Sequence, residues 1–166
     1  MSPWLLLLAS YLLGAIPTSF LVARAARGID LRQHGSGNLG ATNAFRVLGW
    51  KAAAPIFLLD IAKGWLPVAL FPLWDTSTAW TWALAYGAAA VIGHVFSIYV
   101  RFRGGKGVAT GTGVFLALAP LAVLAGLVVW TDLVLATVFV SLSSLDAAIV
   151  LPVVVLLSHG AGRVLF

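Results

Sequence analysis

Apolar residues run along this chain in long unbroken blocks, and polar residues gather in short interruptions between them. Blocks over residues 3–23, 52–73 and 80–100 each reach the roughly 20 apolar residues that a helix needs to cross about 30 Å of hydrocarbon. A lipid-spanning barrel would show short segments of alternating hydrophobicity instead. The pattern therefore predicts an all-α, polytopic transmembrane helical bundle of about five to six hydrophobic segments, forming a single integral membrane domain over residues 1–166. Pro17 predicts a kink in the first span, its freed carbonyl taken by Thr18, Ser19 or a neighbouring helix. After Val114 the apolar run is interrupted at Pro120 and at Trp130, Thr131 and Asp132, which leaves open one tilted span or two shorter ones. A last apolar stretch covers residues 149–157.

Composition strengthens this reading. Hydrophobic residues make up 61% of the 166 and charged residues 9%, whereas soluble domains carry roughly a quarter charged residues. The first residues lack the basic start of a signal peptide, so they are expected to stay as a span. Net charge is +5, but the cations lie beside apolar blocks. That placement suits topology and anionic headgroups or substrates, and no nucleic-acid partner is expected. Arg24, Arg27, Arg32, Arg46 and Lys51 crowd one connection, which the positive-inside rule makes cytoplasmic, with the N-terminus outside. Asp75 alone marks the next turn as an outer one, and Trp80 and Trp82 are expected at interfacial height. Without cysteine there is neither a disulfide framework nor thiolate chemistry.

Two connections carry the candidate chemistry. The first, HGSGNLGATNAFR from His34 to Arg46, combines Gly35, Gly37 and Gly40 with Ser36, Asn38, Thr42, Asn43 and Arg46. Its glycines allow backbone N–H groups to converge on an anion, so it reads as a phosphate cradle; the plain alternative is a flexible polar loop. The second, RFRGGKGVATGTG from Arg101 to Gly113, presents Lys106 among Gly104, Gly105 and Gly107, close to a helix N-terminus whose dipole favours anions. It fails the P-loop pattern because Gly107 stands where a hydroxyl is required. Inside the second span, Asp60 and Lys63 are three apart on one helix face; they form a structural ion pair, or Lys63-Gly64 contributes positive charge to the same cavity as the glycine-rich loop. His94 reads as a helix-packing donor, and Ser141, in VSLSSL, as a small residue at a helix contact.

Taken together, GSGNLGATNAFR (35–46), LDIAKG (59–64), GHVF (93–96), RGGKGVATGTGV (103–114) and VSLSSL (140–145) resemble the bacterial acyl-phosphate:glycerol-3-phosphate acyltransferases, in order and over nearly the whole chain. The resemblance implies a multi-pass, seven-helix enzyme of the bacterial plasma membrane with a cytoplasmic active site. Such an enzyme would use acyl phosphate and glycerol 3-phosphate, work within membrane lipid, make lysophosphatidate for phospholipid synthesis, and need no metal or cofactor. It implies catalytic roles for Ser36, Arg46, Lys106 and Ser141, and phosphate contacts from Gly35, Gly37, Asn38, Gly40, Thr42, Asn43, Gly104, Gly105 and Gly107. Two departures stand out. Val138 and Phe139 replace the arginine and tyrosine expected before VSLSSL. The chain closes on SHGAGRVLF where the family has a further span and a His-x-x-Asn motif, so the C-terminus is expected to be truncated, rearranged or degenerate, with His159 as the candidate for the missing catalytic residue and Gly162 in the asparagine position. The competing readings are a non-catalytic binder of phosphorylated lipid precursors and, with less support, a small transporter, for which no internal repeat is evident.

Overall fold

A computed structural model of the protein describes residues 1–77 and 81–137, with backbone only at 130 and 133–137. Every regular element among the described residues is helical. In chain order these are α1 (Pro3–Ala15), α2 (Thr18–Arg27), α3 (Ala41–Leu48), α4 (Trp50–Leu70), α5 (Thr81–Val95), α6 (Val108–Leu118) and α7 (Pro120–Thr137). Short 3₁₀ turns lie at Leu31–Gln33, Phe71–Leu73 and Ile98–Val100. Three rods have span length and apolar character, Pro3–Arg27, Trp50–Leu73 and Thr81–Val100, as the blocks predict. Their outward faces carry large apolar side chains, including Leu5, Leu8, Leu58, Leu59 and Ile92, as lipid-facing helices require. Trp80, Ser141, His159 and the stretch 149–157 lie outside the described residues.

The chain divides into two compact units, Met1–Val114 and Phe115–Phe166. In the second, Ala119 separates the end of α6 from α7, which begins on Pro120. Proline is tolerated at a first helical position because its missing N–H has no partner to lose there. The described part of the run after Val114 is thus two helices, not one long span.

In the first unit the opening span breaks at Ile16 and Pro17, as the proline predicts. The freed groups find specific partners. Lys63 Nζ donates to the Ile16 carbonyl at 2.8 Å, and Ser97 Oγ donates to the carbonyl of Ala15. The Thr18 backbone N–H also donates to the Ile16 carbonyl at 3.0 Å, but the two hydroxyls go elsewhere: Thr18 Oγ1 donates to Asp60 Oδ1 at 2.5 Å, and Ser19 Oγ donates to the Leu39 carbonyl at 2.7 Å. The break is thus served by the Thr18 N–H together with Lys63 and Ser97 from neighbouring elements.

Without a hydrophobic drive between helices in lipid, close backbone approach supplies the packing, and glycine permits it. Two crossings here are reciprocal. A Cβ on Gly14 would run into the Ala90 carbonyl and one on Gly93 into the Tyr11 carbonyl, which locks α1 against α5. A Cβ on Gly64 would meet the Thr110 carbonyl and one on Gly113 the Ile61 carbonyl, which does the same for α4 and the first turns of α6. Gly111, by contrast, faces open space. Overpacking of this kind costs about 1–3 kcal/mol, while alanine gains up to about 1 kcal/mol over glycine in a helix interior. Gly64→Ala and Gly113→Ala should each lower the thermal midpoint of the detergent-solubilised protein by several degrees, and Gly111→Ala should hold or raise it. Equal effects at all three positions in a melting experiment would contradict the crossing described.

Candidate active site

The first glycine-rich segment is organised by two side chains. Asp30 accepts the backbone N–H of Arg32 at 3.0 Å and pairs with its guanidinium at 2.7 Å, which closes the 3₁₀ turn at Leu31–Gln33. The Arg32 guanidinium holds the Asp30 carboxyl below the usual carboxylate range. Arg32 also donates to the Val100 carbonyl at 3.3 Å, tying this segment to the end of the third rod. The second organiser is Asn43, buried at 2% exposure. Its Oδ1 accepts the Ser36 N–H at 2.9 Å, and its Nδ2 donates to the carbonyls of His34 and Asn38, each at 3.0 Å. Gly35 and Gly37 take left-handed conformations, with φ of +59° and +72°, and a Cβ on Gly35 would collide with Asn43 Oδ1.

The reading of residues 34–46 as one loop needs correction. From Ala41 onward the segment is α3, capped by Gly40, so Thr42, Asn43 and Arg46 stand on a helix. Leu39, Ala44 and Leu48 are buried with Ala53, Ile56, Leu31 and Ala23 in an apolar cluster, and Ala44 and Leu48 are one helical turn apart. That anchorage makes the segment helical despite its weak apolar content.

The second segment is fastened to the end of α5. Gly104 N–H donates to the Val95 carbonyl at 3.0 Å and Gly105 N–H to the His94 carbonyl at 3.1 Å. A Cβ on Gly104 would strike the His94 carbonyl, and one on Gly105 would strike the His94 ring at Nε2. Arg101 and Phe102 hold positive φ values of 57° and 60°, which side chains adopt at a cost. Gly107 then leads into α6.

A cavity of about 240 Å³ opens between these segments, and both Arg46 and Lys106 line it. Ser36, Asn38, Gly40, Thr42, Asn43 and Gly107 lie along its wall. The N-terminal turns of α3 and α6 also reach it, through Ala41 and through Val108 and Ala109. Two cations and two helix N-termini facing one space favour negative charge there. A more open cleft of about 820 Å³ lies alongside, lined by Arg32, Arg101, Arg103, Gly37 and Gly104, and it shares Ser36 and Asn38 with the first. Gly35 and Gly105 line neither. Their close approaches to Asn43 and His94 shape the walls.

Two further lining residues, Asp60 and His94, were not among the expected site residues. Asp60 is 1% and His94 6% exposed. Lys63 Nζ lies 2.8 Å from Asp60 Oδ1, and His94 Nδ1 lies 3.7 Å from the same oxygen. The ion pair is therefore structural and also borders the cavity. An ionisable pair inside an apolar span was the signal available for Asp60. Nothing local in the sequence ties His94 to it.

The sequence matches the glycerol-3-phosphate acyltransferase family over residues 4–166. It is 45% identical over 158 residues to a glycerol-3-phosphate acyltransferase of Syntrophotalea carbinolica, covering 95% of this chain and 80% of that one. Against the same enzyme of Macrococcus caseolyticus it is 49% identical over 146 residues, covering 87% and 73% of the two chains. Among solved structures it resembles PlsY, an integral membrane glycerol 3-phosphate acyltransferase. The glycerol 3-phosphate form aligns with a TM-score of 0.82 at 36% identity, over 94% of this chain and 77% of that one. The lysophosphatidic acid form aligns at 0.81 and 35%, over 94% and 76%. A match of this extent, on a helical membrane fold shared with a solved acyltransferase, puts the chain in the glycerol-3-phosphate acyltransferase family.

Proposed function

We propose that this protein transfers a fatty acyl group from acyl phosphate to glycerol 3-phosphate, in a bacterial plasma membrane, from an active site open to the cytoplasm. The observation that carries the site assignment is the meeting of Arg46 and Lys106, from separate glycine-rich segments, in one cavity with two helix N-termini. The cytoplasmic orientation is supported by the cations at Arg24, Arg27, Arg32, Arg46 and Lys51 in one connection.

An acyl phosphate is a mixed anhydride with phosphate as a good leaving group, so the reaction needs positioning and charge stabilisation more than a strong nucleophile. The glycerol hydroxyl oxygen forms a bond to the acyl carbon, and the bond from that carbon to the phosphate oxygen breaks. Phosphate departs with the electron pair and takes up the hydroxyl proton. Arg46 and Lys106 neutralise the two phosphate groups, which would otherwise repel each other, and stabilise the charge gathering on the leaving one. Ser36 offers a hydroxyl at the same wall, and Asn38 and Thr42 offer further donors. Asn43 acts indirectly, because its carboxamide is occupied in holding the cradle. Ser141 and His159 remain candidates from the family resemblance alone.

Membranes containing the full chain should convert labelled glycerol 3-phosphate to lysophosphatidate only when acyl phosphate is supplied. Arg46→Ala and Lys106→Ala should each reduce that rate by at least about 100-fold, on the scale of losing one transition-state charge contact. Full activity in either variant would remove that residue from the site, and binding of glycerol 3-phosphate with no lysophosphatidate released would point to a binder. Asn43→Ala should act mainly by raising KM for glycerol 3-phosphate, by about tenfold, since it loosens the cradle without removing a charge. A pure kcat effect in steady-state kinetics would contradict that role.

A further inference from the structure

Asp60 takes no part in the transfer step described above. In a cavity furnished for anions by Arg46 and Lys106, a carboxylate is the wrong group to meet a phosphate. Its structural duty accounts for one oxygen only: Oδ1 accepts from Thr18 Oγ1 at 2.5 Å and lies 2.8 Å from Lys63 Nζ. The other oxygen, Oδ2, is buried with no partner among the described residues, and so is Nδ1 of His94 on the same cavity. Leaving a buried acceptor unmade costs about 1–3 kcal/mol, and more when the group is charged. A ligand that brings its own donors removes that cost.

One ligand chemistry satisfies both halves of the cavity: an anionic phosphate for the cations, joined to hydroxyl groups for the carboxylate. We infer that Asp60, with His94 beside it, recognises the hydroxyl groups of a polyol phosphate and so selects the acceptor over simple phosphate esters. The inference rests on the acyl-transfer reading for the identity of that acceptor. The Asp60 carboxylate accepts a hydroxyl hydrogen bond through Oδ2, and Thr18 and Lys63 keep the side chain in place by holding Oδ1. A purely structural aspartate would leave Oδ2 unused.

The test compares three ligands on the detergent-solubilised full chain: glycerol 3-phosphate, propyl phosphate, which keeps the chain length but lacks hydroxyls, and inorganic phosphate. Wild type should bind propyl phosphate at least about tenfold more weakly than glycerol 3-phosphate, the effect of one charge-assisted hydrogen bond. In Asp60→Asn, which keeps the shape and removes the charge, this preference should shrink by about tenfold while inorganic phosphate binds as well as before or better. Equal weakening of all three ligands would assign Asp60 to the scaffold and overturn the inference. If the variant fails to fold, the wild-type panel decides alone: equal affinity for propyl phosphate and glycerol 3-phosphate overturns it. Wild type that binds none of the three would sink the acyl-transfer reading, and this inference with it.

Discussion

A carbonyl freed inside a bilayer has no water to turn to, and each one left unpaired costs several kcal/mol. The break at Ile16 and Pro17 frees such groups, and Lys63 closes it by donating to the Ile16 carbonyl. A lysine at that depth needs a counter-charge, which Asp60 provides. Asp60 in turn is oriented by Thr18, the first residue beyond the break. Kink, ion pair and hydroxyl thus form one closed set in which each member answers a cost imposed by another. Removing one partner of a buried pair is far more damaging than the pair is stabilising, because the survivor is stranded without solvent.

The candidate site is assembled around that set. Asp60 and His94 meet across it from α4 and α5, and the His94 and Val95 carbonyls fasten Gly105 and Gly104. On the other side, Ser19, one residue past Thr18, holds the Leu39 carbonyl at the entrance to α3. The two glycine-rich segments therefore hang from the same buried polar centre and keep a common register. Arg32, bonded to the Val100 carbonyl, adds a second tie nearer the surface.

This arrangement suits the proposed reaction, in which the donor is already activated. A mixed anhydride asks for two phosphates to be brought together and for a hydroxyl to be aimed, both of which are problems of placement and charge. Arg46 and Lys106 are exposed on flexible stems, but the backbone that carries them is tightly specified by Asn43 on one side and His94 on the other. In the proposed reaction, rigid supports under exposed cations would let the charges follow a departing phosphate without loss of the site's shape.

How much of this was legible in the sequence varies with the range of the interaction responsible. Unbroken apolar blocks determined the three span-length rods, Pro17 determined the break, and the spacing of glycines with Arg46 and Lys106 marked the two segments that meet at one cavity, because each of these is a local property of the chain. The helical state of residues 41–48 was not legible, since it depends on Ala44 and Leu48 burying against residues of α4. Nor did any spacing reveal that Gly105 is required by the His94 ring, or that Asn43 works within the cradle. Asp60 and Lys63 could be paired from their separation along one helix face. Their partners at Ile16 and Thr18, and the meeting with His94, depend on which faces of separate helices come together, and only the tertiary structure decided that.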